Sequence, residues 1–289
     1  MSATVQPLIE YLQQLQRKGE THVHLDETAR KVMREFFMVA KGYKKLNSES
    51  QEETTSETMT AEKTEQASRP HQQQVTIMGS SPHEQISSLA SQAQKWPAFN
   101  NVSTLREKLV FSGGDPTADL MLISDAPGYY EETKGHPFAG PAGQKLDGIL
   151  KAMGLERSQV YITYLVKFRP AMPNQTTANR KPSDEEIDIF SEFLRSEVAI
   201  VKPKVIVALG SVAAQHLTNS NSSTDQLRER FHTVTHSDAP MRVTYHPSYL
   251  LQNEANSDKR KLWEDMLAVM KELNMPISEK QKSFFLPKS

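Results

Sequence analysis

The chain contains no cysteine. That excludes disulfides, zinc–thiolate sites, a cysteine nucleophile and an iron–sulfur cluster held by thiolates. Aromatic residues make up only 7%, and no uninterrupted apolar run is long enough to cross a bilayer. The polar N-terminus has no apolar core of a secretory signal. With the absence of disulfides, this predicts a cytoplasmic protein with no membrane partner. An excess of either charge is also missing: 34 Lys+Arg stand against 35 Asp+Glu, a formal net charge of −1. Taken over the whole chain, that balance argues against a broad electrostatic grip on a polyanion.

What is present is 289 residues, 37% of them hydrophobic, enough for one or two domains. Residues 46–74 are nearly free of large apolar side chains and crowded with Glu, Thr, Ser and Gln. Such a stretch cannot bury enough surface to offset its ordering entropy, so a disordered linker is predicted. It takes six glutamates against one lysine and one arginine, which leaves the rest of the chain mildly basic. Before it, over 1–45, Leu8, Ile9, Leu12 and Leu15, then Ala29, Val32, Met33, Phe36, Phe37 and Ala40, recur at helical spacing. Asp26 is a candidate N-cap and Gly42 a candidate stop, which predicts a helical hairpin extension. His22 and His24 alternate as on a strand. With no third ligand nearby they read as a solvated connector, and no metal site is assigned.

From residue 75 to 289 the pattern changes. Four short runs rich in β-branched residues, 119–124 (DLMLIS), 160–166 (VYITYLV), 204–209 (KVIVAL) and 242–245 (RVTY), stand out. They alternate with helical periodicity over 142–153, 183–198, 211–217 and 259–273. Strands alternating with helices predict an α/β fold, a three-layer α/β/α sandwich around a central four-stranded parallel sheet. In such sheets ligands bind beyond the carboxyl ends of the strands, so the residues after each run carry the information.

After the first run comes Ser124-Asp125-Ala126-Pro127-Gly128-Tyr129-Tyr130-Glu131-Glu132, continuing through His136-Pro137-Phe138-Ala139-Gly140-Pro141-Ala142-Gly143 into a helix. Gly140 and Gly143 permit close approach of a backbone to a ligand, and a helix start favours anions such as phosphate. The terminal Gly-Lys-Ser/Thr of a Walker A loop is missing. After the second run come Lys167-Phe168-Arg169-Pro170 and a polar loop ending Asn179-Arg180-Lys181-Pro182. Gly210-Ser211 follows the third, and His246-Pro247-Ser248-Tyr249-Leu250-Leu251 the fourth. Singly each is bland: an Asp after a strand is commonly a turn former, and a basic loop a solvated connector. Their convergence at four successive strand ends is what points to a functional site.

The ordered set SDAPGYYEETKGHPFAGPAGQKLD, VYITYLVKFRP, KPSDEEI, PKVIVALGS and VTYHPSYLL resembles the uracil-DNA glycosylase superfamily, most closely its thermophile-type branch, family 4. The similarity runs collinearly over roughly residues 89–273. It implies a base-flipping hydrolase that cleaves the N-glycosidic bond of uracil, or of a related damaged base, in DNA. Phe138 matches the position that stacks on the extruded base, beside Ala126 and Tyr164 at the base site. Asp125 would stabilise the sugar cation and orient water, and His246 would hydrogen-bond the base oxygen as it gains charge. Leu250 or Leu251 would be the apolar wedge. Gly140, Gly143, Lys167, Arg169, Arg180, Lys181, Ser211 and Ser248 would hold the strand, chiefly through its phosphates. The partner implied is DNA and the protein is expected to act as a monomer without a cofactor.

Three departures from the family pattern stand in this chain. The family 4 cluster cysteines are replaced: Phe168 stands in the Lys-Cys-Arg-Pro motif, Phe190 follows Glu-Glu-Ile-Asp-Ile, and Trp96 and Phe99 fall near the Cys-X-X-Cys. These rings are expected to pack together where the cluster would sit. Tyr164 replaces the asparagine that reads uracil through a side-chain amide. Asp125, preceded by Ser124, replaces a Gly-Glu pair. A catalytically silent protein that holds DNA or a flipped base is the second reading. A nucleotide-binding α/β protein unrelated to repair is the third.

Overall fold

The four β-branched runs do form a parallel sheet in the computed structural model, which describes residues 75–96, 102–235, 237–252 and 255–286. The expected hairpin over 1–45, the expected linker over 46–74 and Phe99 lie outside the described residues. In chain order the main elements are α1 (Pro82–Gln94), β1 (Leu105–Leu109), β2 (Ser112–Gly114), β3 (Leu120–Ser124), α2 (Tyr129–Lys134), α3 (Pro141–Met153) and β4 (Tyr161–Tyr164). There follow β5 (Phe168–Pro170), α4 (Asp184–Val201), β6 (Val205–Leu209), α5 (Ser211–Thr218), β7 (Phe231–Val234), β8 (Ser237–Thr244) and α6 (Asn256–Glu272).

The sheet runs β2-β4-β3-β6-β8-β7. Its centre, β4-β3-β6-β8, is parallel as the pattern predicts. The expected width of four strands is corrected to six, because β2 and β7 add antiparallel edges. Neither edge has the apolar alternation that betrays a strand: β2 is Ser-Gly-Gly, and β7 is Phe-His-Thr-Val. At Gly114, with φ of 87°, an added Cβ would lie 1.8 Å from the Val160 carbonyl oxygen, so only glycine closes this edge. β1 and β5 form a separate antiparallel ribbon.

Alternation along the strands sorts the core into two layers. Met121 and Ile123 of β3 face one side, with Ile206 and Ala208 of β6, against Leu89 of α1, Phe190 and Phe193 of α4, and Ala213 of α5. Leu120 and Leu122 face the other, with Val205 and Val207, against Leu146 and Leu150 of α3 and Leu262, Trp263 and Met266 of α6. Helices thus cover both faces of the sheet. Their ends carry local signals: Pro141 opens α3, Gly154 closes it in the left-handed region (φ 86°), and Ser183 with Glu186 forms a reciprocal capping box on α4.

One boundary matters for the site. The run expected as a strand through Val166 stops at Tyr164. The next two N–H groups, of Leu165 and Val166, donate to the carbonyls of Ser124 (2.8 Å) and Asp125 (3.0 Å). The loop after β4 is thereby latched to the loop after β3.

Candidate active site

The carboxyl ends of β3, β4, β6 and β8 open into one cavity of about 440 Å³, lined among others by Asp125, Phe138, Tyr164, Ser211, His246 and Leu251. Residues from four distant stretches of sequence meet there because parallel strands all deliver their following loops to the same edge.

Asp125 leaves β3 half-buried, with the Ser124 hydroxyl donating to its Oδ1 at 3.1 Å. Beyond the Pro-Gly turn, Glu131 of α2 ties two loops with one carboxylate. Its Oε2 accepts from Gly128 N (3.0 Å) and its Oε1 from Ala139 N (3.0 Å). Between these anchors Phe138 is held at φ 49°, a conformation a non-glycine residue adopts only when its surroundings force it. Its carbonyl accepts from Arg157 (2.8 Å), its N–H donates to the Tyr164 hydroxyl (3.0 Å), and its ring is 3% exposed. That ring lies between Tyr164, centroids 5.9 Å apart and planes 16° apart, and His246, at 5.6 Å and 27°.

His246 ends β8. The backbone N–H of Ser248 donates to its Nδ1 at 3.1 Å, and the Ser248 hydroxyl lies 2.6 Å from the same atom. An Nδ1 that accepts from a backbone amide places the neutral ring's proton on Nε2, so the ring offers the cavity an N–H donor. Burial pushes the imidazole below its usual range, opposed by the carboxylates of Asp125 and Glu131. Gly210, at φ 91°, caps α5 beside it; a Cβ there would lie 3.0 Å from the His246 Cβ.

Several residues expected to hold the strand face elsewhere. Lys167 is fully buried. Its ammonium pairs with Glu197, donates to Thr163 Oγ1 (2.6 Å) and the Tyr164 carbonyl (2.8 Å), and lies 4.8 Å from the Phe111 ring centroid. Arg169, 2% exposed, donates to Glu132 (2.7 Å), Asn179 Oδ1 (3.0 Å) and the carbonyls of Thr176 (2.8 Å) and Ala178 (2.7 Å). Arg180 forks onto both oxygens of Glu186, at 2.8 and 2.6 Å. Lys167 and Arg169 fasten loops rather than reach solvent, which corrects their assignment to phosphates, whereas Arg180 is partly exposed and lines the cavity while held by Glu186. Gly143 is likewise buried: a Cβ there would meet the Phe138 carbonyl oxygen at 1.7 Å, so its smallness serves packing. Leu250 is 6% exposed and packs in the core, whereas Leu251 is 41% exposed at the cavity. The wedge assignment therefore narrows to Leu251. Ala126, Gly140, Lys181, Ser211 and Ser248 do line the cavity.

Glu131, Asn179 and Tyr130 are among the cavity residues that the sequence reading did not assign to the site. Asn179 accepts from Tyr129 N (3.1 Å) and Arg169 Nε on its Oδ1, which fixes its amide and sets Nδ2 where a Cβ on Gly128 would come within 2.7 Å of it. Tyr130 stands exposed at the mouth. The only available signals were their places in the Tyr-Tyr-Glu-Glu and Asn-Arg-Lys-Pro segments.

The profile of the uracil DNA glycosylase superfamily matches residues 111–267. This chain belongs to that superfamily. It is 34% identical over 188 residues to the type-4 uracil-DNA glycosylase of Sulfurisphaera tokodaii, covering 63% of this chain and 81% of that one. To the type-4 enzyme of Thermotoga maritima it is 33% identical over 162 residues, 56% and 81% of the two chains. To the type-5 enzyme of Pyrobaculum aerophilum it is 28% identical over 155 residues, 48% and 66%.

The residues where a type-4 iron–sulfur cluster is expected do not fit one. Phe168 and Phe190 lie 5.6 Å apart, Phe190 and Phe193 6.2 Å, and Trp96 meets Phe193 edge-on at 5.0 Å. Phe111 joins at 6.3 Å. Aromatic carbon offers no ligand, and among the described residues no group of three or more His, Asp or Glu is placed to hold a metal ion.

Proposed function

We propose that this superfamily member is a monofunctional DNA glycosylase that flips out uracil, or a related deaminated base, and hydrolyses its N-glycosidic bond. The observation that carries the reading is the meeting of a carboxylate, Asp125, and an N–H donor, His246 Nε2, around the Phe138 ring in one cavity. Cleavage of the C1′–N bond leaves positive charge on the sugar and negative charge on the base. The Asp125 carboxylate stabilises the first and orients the water whose oxygen bonds to C1′, accepting its proton. His246 donates its Nε2–H to the base oxygen that gains the second, and does so as the neutral ring. The backbone at Gly140, the Ser211 and Ser248 hydroxyls and Lys181 meet the strand. Leu251 fills the gap in the stack.

Incubation with oligonucleotides carrying uracil, hypoxanthine, xanthine or hydroxymethyluracil, followed by alkali, tests this. Strand breaks on at least one substrate are expected, and none on any would contradict it. One observation favours the second reading, a silent binder. Tyr164 occupies the family's amide position with its hydroxyl committed to Phe138 N and its ring buried. Salt-dependent binding of every strand without breaks would support it. In the glycosylase reading Tyr164 sets which base enters, and Tyr164→Asn shifts the preference towards uracil.

A further inference from the structure

Tyr130 packs against Gly140 and Tyr129 without being buried. It is 46% exposed, a large aromatic at the rim of the cavity that also holds Asp125 and His246. Its ring lies on the backbone of Gly140, where an added Cβ would come within 2.5 to 2.8 Å of three of its atoms. The neighbouring Tyr129 ring meets it edge-on, centroids 5.4 Å and planes 73° apart. Tyr129 is itself fixed, its N–H on Asn179 Oδ1 and its ring 5.4 Å from the Arg169 guanidinium. Tyr130 is thus braced on two sides and still offers apolar surface to solvent, beside the opening that Leu251 also lines.

We propose that Tyr130 is a stacking platform for the nucleobase adjacent to the flipped nucleotide. The inference rests on the glycosylase reading and deepens it by naming a second contact to the strand. Lys167 and Arg169 are taken up by internal partners and Arg180, which lines the cavity, is held by Glu186, which leaves Lys181 as the cavity-lining lysine or arginine with no ion pair among the described residues. Base–aromatic stacking supplies affinity without them, and tolerates any neighbouring base because every base has a π-face. A glycine at position 140 is what lets the Tyr130 side chain approach the N-terminal end of α3 so closely.

The test uses the full chain and a single-stranded oligonucleotide with 2-aminopurine beside uracil, on the 5′ side in one strand and the 3′ side in another. Stacking quenches the probe in one of the two on binding. Tyr130→Ala is expected to weaken binding about tenfold and abolish the quench, and Tyr130→Phe to retain both. Tyr130→Leu, which keeps bulk without a π-face, should resemble the alanine variant. Replacing the stacked base by an abasic analogue should weaken the wild type by a similar factor and leave Tyr130→Ala unchanged. With uracil release as readout, KM should rise more than kcat falls. Wild-type affinity and quench in Tyr130→Ala, or equal losses on both strands in both proteins, would overturn the inference. Quenching without release of any of the four bases would sink the glycosylase reading alone, and release with Tyr130-independent binding the stacking proposal alone. Failure to bind any strand would sink both.

Discussion

Two neighbouring regions of this molecule carry similar side chains to opposite ends. At the cavity, Asp125 keeps one side-chain partner, His246 holds an N–H towards open space, and Lys181 stands exposed. Behind β4 and β5, Lys167, Glu197 and Arg169 are buried and every one of their charges is matched. Tyr161 and Thr163 add hydroxyls at 2.8 Å to Glu197 Oε1. A polar group buried with all its partners organises loops; one left with spare valence beside a cavity is available for chemistry. The five-ring cluster of Trp96, Phe111, Phe168, Phe190 and Phe193 extends the closed region. Its rings tie the segment after α1 to β5 and α4 by packing.

Breaking the closed region should unsettle the fold and spare the electrostatics of binding. Lys167→Met strips a buried carboxylate of its cation and is expected to cost about 3–5 kcal/mol in urea unfolding. The salt dependence of strand binding should stay as in the wild type. A stable variant with a shallower salt slope would return this lysine to the DNA. Phe168→Ala should cost about 3–5 kcal/mol, read as a lowered midpoint at unchanged m-value, because Phe190 and Phe193 of α4, with Trp96 just past α1, cannot close over the void. Unaltered stability would mean that the aromatic cluster is not a staple.

The open region responds to pH and to salt. Burial makes the folded state bind fewer protons at His246 than the unfolded chain does. The stability from this ring is therefore full above the ordinary imidazole pKa and is lost as pH falls through the lower folded value. Uracil release should correspondingly stay level as pH drops through the usual imidazole range and decline only below it. A profile that rises on acidification would mean that the charged ring is the active form. The smallest effect is expected from Lys181→Ala: stability within about 0.5 kcal/mol of wild type and a salt slope for strand binding shallower by about one. An unchanged slope would take Lys181 off the strand.

The same contrast explains what could be read from the sequence. The parallel strands, their order of helices and the places of Asp125 and His246 beyond them were legible because buried β-branched runs and their following turns leave local patterns, whereas Phe138 and Tyr164 were marked as site residues by the family resemblance. The inward course of Lys167 and Arg169 was not. From Val166 to Pro170 every side chain is buried, so no period distinguishes in from out, and the deciding partner Glu197 lies on α4, 30 residues away from Lys167. Leu250 and Leu251 are adjacent and chemically identical; only the turn after His246 decides which one packs. Asn179 was hidden for a related reason, since its amide gains direction from Tyr129 and Arg169 rather than from its own segment.

The central claim is that the open cavity, with His246 as its neutral donor, performs the chemistry. Single-turnover release of free base from an oligonucleotide carrying the accepted base tests it most directly, comparing the wild type with His246→Ala. The loss of one such donor should slow release about 10²–10³-fold at equal strand affinity. Release at the wild-type rate by His246→Ala would contradict the account.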